Sequence, residues 1–480
     1  MFRVRTYKRT YLEMWNARMC RPNVEPLVDK VVVAILKQQG FTDIDYIPRN
    51  IYNPEALYEA LNFYDPDESH YIDMKDDRVK SGLGMAYRAF ARPAHMPLLH
   101  PVKLDGPIWQ VYDLLGIKGD KSAGLTAYGE NKLEAFPIAM RKVGELLRDE
   151  RRPDPCLAGT RTQAGKEGRL VWGYPLMMTI IEGCIARPLL DFIKGSQHTP
   201  MAFGMTSAEL GILMRKAQSH NRYYVSMDAS KFDSSVQAGV LKHFFNAVRT
   251  WFDLEEKVFG DVTVGRIIDI IEDYFINTPI VMPSEAGPQL YTGKRHGVPS
   301  GSYFTQLADS YANVAMIGTV DRVFKLKLHL DEVFVLGDDM LFFTNKNISQ
   351  AVMERFANVL SEIYRMRMNS KKSKFGSVSE PIPFLGRIWQ NGLPTRDFRE
   401  AVARAVSPER YRNYGEDKWR GASAVLASYG LTAMLTNMPQ NFNPYLNIMT
   451  SQMVANSASG LTEFLLREGE IVNSIVPKLY

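Results

Sequence analysis

The run VFVLGDDMLFF, Val333–Phe343, places two adjacent carboxylates and a glycine between two apolar, β-prone segments. Adjacent carboxylates repel, and nothing basic lies within the run to offset them. Two strand-like segments joined by a short Gly/Asp turn predict a β-hairpin with Asp338 and Asp339 at its tip. A turn accounts for Gly-Asp but not for the second acid. A divalent cation with a preference for hard oxygen ligands, Mg²⁺ or Mn²⁺, would account for both.

Other stretches carry groups suited to the same chemistry. In YYVSMDASKFDSSV, Tyr223–Val236, a strand runs into Asp228, and Asp233 follows five positions later. An odd offset on an extended strand puts two side chains on opposite faces. For both acids to serve one cleft, the chain must turn through Ala229–Lys231; otherwise Asp233 caps a helix starting near Ser234. GVPSGSYFTQLADSYAN, Gly297–Asn313, begins as a loop and ends as a helix with Thr305, Gln306, Asp309, Ser310 and Asn313 on its polar side. That side suits recognition of a polar ligand, and the Gly297–Gly301 loop lets backbone amides approach one closely. GTRTQAGKEGRLVWGYP supplies Arg161, Lys166 and Arg169 on a hairpin-like segment that is either a solvated loop or one able to hold a triphosphate. RMRMNSKKSKF adds Lys371, Lys372 and Lys374, which are either surface charge or a source of one cation for a reaction centre.

The elements that must position these groups are fewer. Helical spacing of apolar residues marks Val24–Gln38, the segment from Phe304 through Ala315, and the segment from Val352 through Ile363 with Asn347 or Ser349 as cap. A last helix is expected over Leu461–Val472. Strands are expected at Tyr223–Met227, Val333–Leu336 and Met340–Thr344. Many helices and few strands predict an α+β fold, a small antiparallel sheet with helices packed on it.

Composition sets limits on partners. With 480 residues, 45% hydrophobic and 23% charged, the chain is globular and large enough for about three modules. The net charge of +5 is small, so any nucleic-acid contact must come from local clusters. The three cysteines, Cys20, Cys156 and Cys184, form neither a zinc pattern nor a disulfide framework. No apolar stretch of about 20 residues is present to span a membrane. The basic start, MFRVRTYKR, has no apolar run behind it and is not a secretory signal. It reads as a solvated terminus, with an RNA-touching arm as the alternative.

In this order and at this spacing, the motifs resemble those of viral RNA-dependent RNA polymerases, above all partitivirus enzymes, with picobirnavirus enzymes next. DASKFD is similar to the first palm motif, which implies Asp228 as metal ligand and Asp233 as reader of the ribose. PSGSYFT and its helix resemble the second, implying that Ser300, Thr305 and Asp309 recognise the nucleotide, with Gly301 near the template or primer. LGDD resembles the third, implying Asp338 and Asp339 as metal ligands. NSKKS resembles the fourth and points to Lys372 as general acid. PFLGRIW resembles the fifth, which implies that Leu385 and Gly386 support the primer. The Arg161–Arg169 segment is similar to the finger motif that grips triphosphate. KSAGLTAYGENK resembles the loop through which template enters, implying contacts from Ser122, Ala123 and Gly124. Many such enzymes carry asparagine where Asp309 stands, so either Asp309 or Asn313 contacts the ribose network.

The resemblance implies a right-hand architecture. An N-terminal bridge and fingers take 1–222, palm 223–240, a fingers insert 241–295, palm again 296–395, and thumb 396–480. It implies two Mg²⁺ or Mn²⁺ ions, RNA template and product, ribonucleoside triphosphates, a viral coat protein as partner, and a place in the virion interior and host cytoplasm. An inactive RNA-binding or capsid-associated protein and a reverse transcriptase are the other readings.

Overall fold

The computed structural model describes residues 1–21, 28–38, 40–47, 53–65, 71–163, 166–195, 199–369, 372–408, 412–414, 418–429 and 431. The helix expected over Leu461–Val472 lies outside them. The α+β expectation holds. The expected antiparallel sheet has four strands in the order Val333–Leu336, Asp339–Thr344, Tyr223–Met227, Lys374–Ser377. All of its pairings are antiparallel. Val333–Leu336 is wholly buried, as is Asp339–Thr344 after its first residue.

The helix Thr305–Phe324 packs on this sheet, and every residue from Leu307 to Val320 is buried. Its polar side is therefore not a free face. Against its outer side lies the helix Asp77–Phe90. The two helices meet at glycines. A Cβ on Gly82 would lie 2.2 Å from the Ala315 carbonyl oxygen, and one on Gly318 would lie 2.8 Å from the Met85 Cβ. The helix Gln350–Tyr364 also packs nearby, and of the two expected caps it is Ser349 that accepts from the Val352 N–H.

A second sheet was not foreseen. Its order is Arg3–Thr6, Gln289–Thr292, Ile280–Met282, Cys156–Gln163, Lys166–Gly173, with one parallel pairing between Cys156–Leu157 and Ile280–Val281. The basic N-terminus is thus neither a free arm nor a loose end but an exposed edge strand paired with Gln289–Thr292.

The first predicted helix is shorter than its apolar pattern. It covers Lys30–Gln38, with residues 28 and 29 outside it. Asp29 closes its start by accepting from the Val32 N–H at 3.1 Å. The helix packs through Val32, Ile35 and Leu36 on Ala401, Val402, Ala405, Val406, Ala422 and Leu426, which form a separate small core. Asp29 also takes the Arg412 guanidinium at 2.9 Å and the Tyr414 hydroxyl. N-terminal and C-terminal segments are joined there by a carboxylate that is 4% exposed. Asp29→Ala leaves a half-buried guanidinium without its partner, and should lower unfolding free energy by about 1–3 kcal/mol. Chemical denaturation checks this; a change below about 0.5 kcal/mol would show the junction to be held by the apolar contacts alone.

Candidate active site

The register of the four-stranded sheet brings the acids together. Met227 stands opposite Met340. Asp228 follows Met227 and Asp339 precedes Met340, so the register brings both acids to the same end of two neighbouring strands. Asp338 occupies the turn between Leu336 and Asp339, which are themselves paired. Of the two turn residues, Gly337 has φ of +60° and Asp338 does not have positive φ. That is the pattern of a type II′ hairpin, with glycine at the first central position. The turn is thus Gly337–Asp338, and Asp339 opens the second strand rather than sharing the tip.

Two side chains of the buried helix fix the turn. Asn313 Nδ2 donates to the Gly337 carbonyl at 2.6 Å, and the Gly337 N–H donates to Ser310 Oγ at 2.9 Å. The Asn313 amide is therefore engaged with the chain itself. Asp309, one turn earlier, is 3% exposed, and its Oδ1 has no hydrogen-bond partner.

Asp228 lies at a junction. The residue after it begins a short pairing, Ala229–Ser230 with Arg367–Met368, while the strand before it pairs with Lys374–Ser377. The connecting turn wraps Asp228. The Asn369 N–H donates to its carbonyl at 2.6 Å, and its own N–H donates to Ser373 Oγ at 3.1 Å. Lys372 Nζ stands 3.8 Å from Asp228 Oδ1. Lys371 lies outside the described residues.

Asp233 returns to the same place because Lys231 takes a left-handed conformation, φ +56°, and starts a short helix, Phe232–Ser235. Asp233 sits in the first turn of that helix rather than capping it. Burial and the nearby charge of Asp338 push its carboxyl up to about 6, with Arg169 pulling it back. Burial, then Asp233 and Asp338, hold Asp309 well above the usual carboxylate range. Three of the acids therefore sense one another, and register places the other two beside them.

The cationic segment is a hairpin, as expected. Arg161 and Arg169 are directly opposite across its strands, and Lys166 pairs with Gln163 at its end. Like charges in directly opposed positions destabilise a sheet, so the pair suits an anion. Arg169 acts electrostatically on Asp233, which places the hairpin over the acids. The hairpin is tied to the loop before the buried helix by the Trp172 N–H, which donates to Ser300 Oγ at 3.2 Å. Gly301 packs against the same strand; its Cβ would lie 2.2 Å from the Trp172 carbonyl oxygen. Thr305 Oγ1 donates to the Pro299 carbonyl at 2.7 Å. The Gly297–Gly301 loop is pinned on both sides.

Ser122 is exposed, whereas Ala123 and Gly124 are buried beneath it. Gly124 has φ +64° and lies against the Tyr174 carbonyl. Leu385 and Gly386, φ +53° and +64°, form the two-residue turn between Ile382–Phe384 and Arg387–Gln390.

The sequence reading missed Ser373, Ser310 as a support of the turn, Tyr64 and Glu182. Tyr64 packs edge-on to Trp172 with ring centroids 5.1 Å apart and donates to the Val298 carbonyl. For Glu182 a signal existed, a lone acid inside the apolar run MMTIIEGCIA.

Comparison with known proteins identifies the family. The chain belongs to the viral RNA-dependent RNA polymerase family, whose model matches residues 149–414. It is 31% identical over 170 residues to the RNA-directed RNA polymerase of Cryptosporidium parvum virus 1 (strain KSU-1), covering 33% of this chain and 29% of that one. To the RNA-directed RNA polymerase of White clover cryptic virus 1 (isolate Boccardo/2004) it is 25% identical over 298 residues, 53% and 47% of the two chains. The matched regions thus span less than half the length of these curated relatives. In fold it is similar to an insertion-loop deletion mutant of a human picobirnavirus RNA-dependent RNA polymerase. The TM-score is 0.63 at 14% identity, over 97% of this chain and 96% of that one.

The crowded acids have a thermodynamic consequence. An acid whose pKa rises on folding weakens the folded state as pH climbs from its unfolded value, and the full penalty stands above its folded value. For Asp233 that window runs from 3.8 to about 6. In metal-free buffer Asp233→Asn should stabilise the protein by about 1–2 kcal/mol near neutral pH and by almost nothing below about pH 4. Denaturant titrations across that range decide it; an equal gain at every pH would exclude charge repulsion as the source.

Proposed function

We propose that this chain copies an RNA template by joining ribonucleoside triphosphates to a growing RNA strand. The observation that carries this reading is that Asp228, Asp339 and the Gly337–Asp338 turn fall at the same end of two paired strands, in a member of this family. Residues 223–240 and 296–395 act as palm, 1–222 and 241–295 as the N-terminal bridge and fingers, and 396–480 as thumb. The shared sheet of Cys156–Gly173 and Ile280–Thr292 supports grouping the insert with the fingers.

The donor set fits Mg²⁺ or Mn²⁺. Among the described residues no three His, Cys, Asp or Glu side chains form a ready cage. Mg²⁺ is commonly held by one or two carboxylates together with substrate phosphates and water, which is what Asp228, Asp338 and Asp339 offer. Mutual repulsion among the neighbouring acids adds a drive toward cation binding. A pair of divalent ions there would supply acidification of the RNA 3′-hydroxyl and charge compensation at the triphosphate.

The chain's own groups do the rest. Arg161, Lys166 and Arg169 hold the triphosphate and offset its charge. The 3′-hydroxyl loses its proton to water, its oxygen attacks the α-phosphorus, the bond to the bridging oxygen breaks, and Lys372 gives its proton to the departing pyrophosphate. Asp233 and Asp309 face the ribose, with Ser300 and Thr305 fixing the loop beside them. Asn313, engaged with Gly337, supports the acidic turn instead, so Asp309 is the stronger candidate for the ribose network. Ser122, Gly301, Leu385 and Gly386 border the template and primer path, with Ala123 and Gly124 shaping the loop under Ser122. Base pairing with the template selects the nucleotide. A coat protein as partner, and a site of action in the virion and host cytoplasm, accord with the viral relatives.

The test is nucleotide incorporation by purified protein on single-stranded RNA with Mg²⁺ or Mn²⁺. RNA product is expected from the parent and none from Asp338→Ala. Asp228→Ala should slow addition at least ~10³-fold. Mn²⁺ should raise the melting temperature of the parent and not that of Asp338→Ala. Product made only from deoxynucleotides, or from the Asp338→Ala protein, overturns the reading. Asp233→Ala should narrow the preference for ribo- over deoxynucleotides by about tenfold, a loss of one hydrogen bond to the 2′-hydroxyl. Competition between the two substrate types measures it, and unchanged selectivity with a lower rate removes the ribose role.

A further inference from the structure

The helix Leu176–Gly195 carries Glu182, which is 0% exposed. Its Oε1 accepts from the Tyr174 hydroxyl. Its Oε2 accepts from Ser302 Oγ at 2.7 Å and from the Tyr303 N–H at 2.9 Å. Ser302 Oγ in turn accepts from the Phe304 N–H at 3.0 Å. The other titratable groups acting on Glu182 are Lys132, at the start of the helix Lys132–Leu147, Tyr274 of the helix Val264–Asn277, and Cys156. Tyr303 also acts on it through its phenol.

A carboxylate buried this deeply is unfavourable unless its oxygens are bonded, and here both are. The donors it recruits lie just before the helix Thr305–Phe324. That helix has Phe304 at its N-cap and no side-chain cap of its own. Glu182 does not cap the helix itself; it fixes the two residues before its N-cap and brings a carboxyl group toward the positive end of the helix. The same helix holds Gly337 through Ser310 and Asn313. On its other side, Tyr174 follows the cationic hairpin and abuts Gly124 in the loop assigned to the template.

We propose that Glu182 is a positioning residue for nucleotide addition, clamping the Ser302–Tyr303 loop and thereby setting the Thr305–Phe324 helix and the acidic turn it carries. The proposal rests on the polymerase reading. Burial pushes the Glu182 carboxyl up to about 7, against the pull of its three donors. Ionised, it accepts all three bonds; protonated, it loses acceptor capacity. The clamp is therefore tight above about pH 7 and slack below it.

The experiment compares steady-state addition on a primed RNA template by the full chain and by Glu182→Gln, from about pH 6 to 8.5. The variant should show kcat ~10-fold lower near pH 8, with KM changed less than about twofold, and should converge on the parent near pH 6. Ser302→Ala removes one of these bonds from the loop side, and the double variant should be no slower than Glu182→Gln alone. Ser302→Ala also carries the test if Glu182→Gln fails to fold: its own kcat loss at the higher pH is then the expected result, and an unchanged kcat overturns the clamp. An active parent matched by Glu182→Gln in rate and pH profile overturns the proposal, as do additive losses in the double variant. An inactive parent overturns the polymerase reading itself, and this proposal with it.

Discussion

Repulsion among carboxylates at one end of the four-stranded sheet is the constraint around which the molecule is arranged. Burial and the charge of Asp338 raise the proton affinity of Asp233 and Asp309, with Asp233 adding to the rise at Asp309, and Asp228 and Asp339 adjoin the Met227–Met340 pair. Such a cluster opposes folding. What holds it is apolar packing: the buried stretch Leu307–Val320 of one helix, against a sheet whose strands are largely buried. Active sites commonly sit where local stability is poorest, supported by a core that is not. Here the supporting helix and the acidic turn are joined directly, through Ser310 and Asn313 to Gly337.

The acids divide by environment. Asp338 and Asp339 are exposed, and Asp228 is 36% exposed, so all three are open to water and to a cation. Asp309 is buried and Asp233 half-buried, and both hold protons more tightly. A protonated carboxyl can donate as well as accept. Burial favours that form at Asp309.

The acidic hairpin was more legible in the sequence than the larger sheet. Two apolar, β-prone runs and a Gly/Asp turn gave the hairpin bounds nearly to the residue, because those signals are local. The five-stranded sheet had no such signal. Ile280–Met282 is three residues long, and Arg3–Thr6 finds its partner at Gln289–Thr292, far along the chain. Strands this short are defined by what they pair with. The polar side of the Thr305–Phe324 helix was visible, but not what it faces: Ser310 and Asn313 are polar because a backbone turn lies against them. The first helix failed at its start for a local reason, since Asp29 spends its side chain on the cap and on Arg412.

The return of Asp233 toward Asp228 shows most plainly where local signals end. Five residues apart on a strand, the two side chains would diverge. Lys231 reverses the chain in a left-handed conformation, a region that costs a residue with a Cβ about 1 kcal/mol. No glycine or asparagine marks the turn. The compensation comes from elsewhere: Lys231 Nζ sits over the Phe63 ring, 3.2 Å from its centroid, a favourable cation–π contact. Neighbouring backbone bonds add to it. The Val298 N–H donates to the Asp233 carbonyl at 2.7 Å, and the Gly297 N–H to that of Val236. The pinned Gly297–Gly301 loop therefore holds the strained turn that gives the second acid its direction.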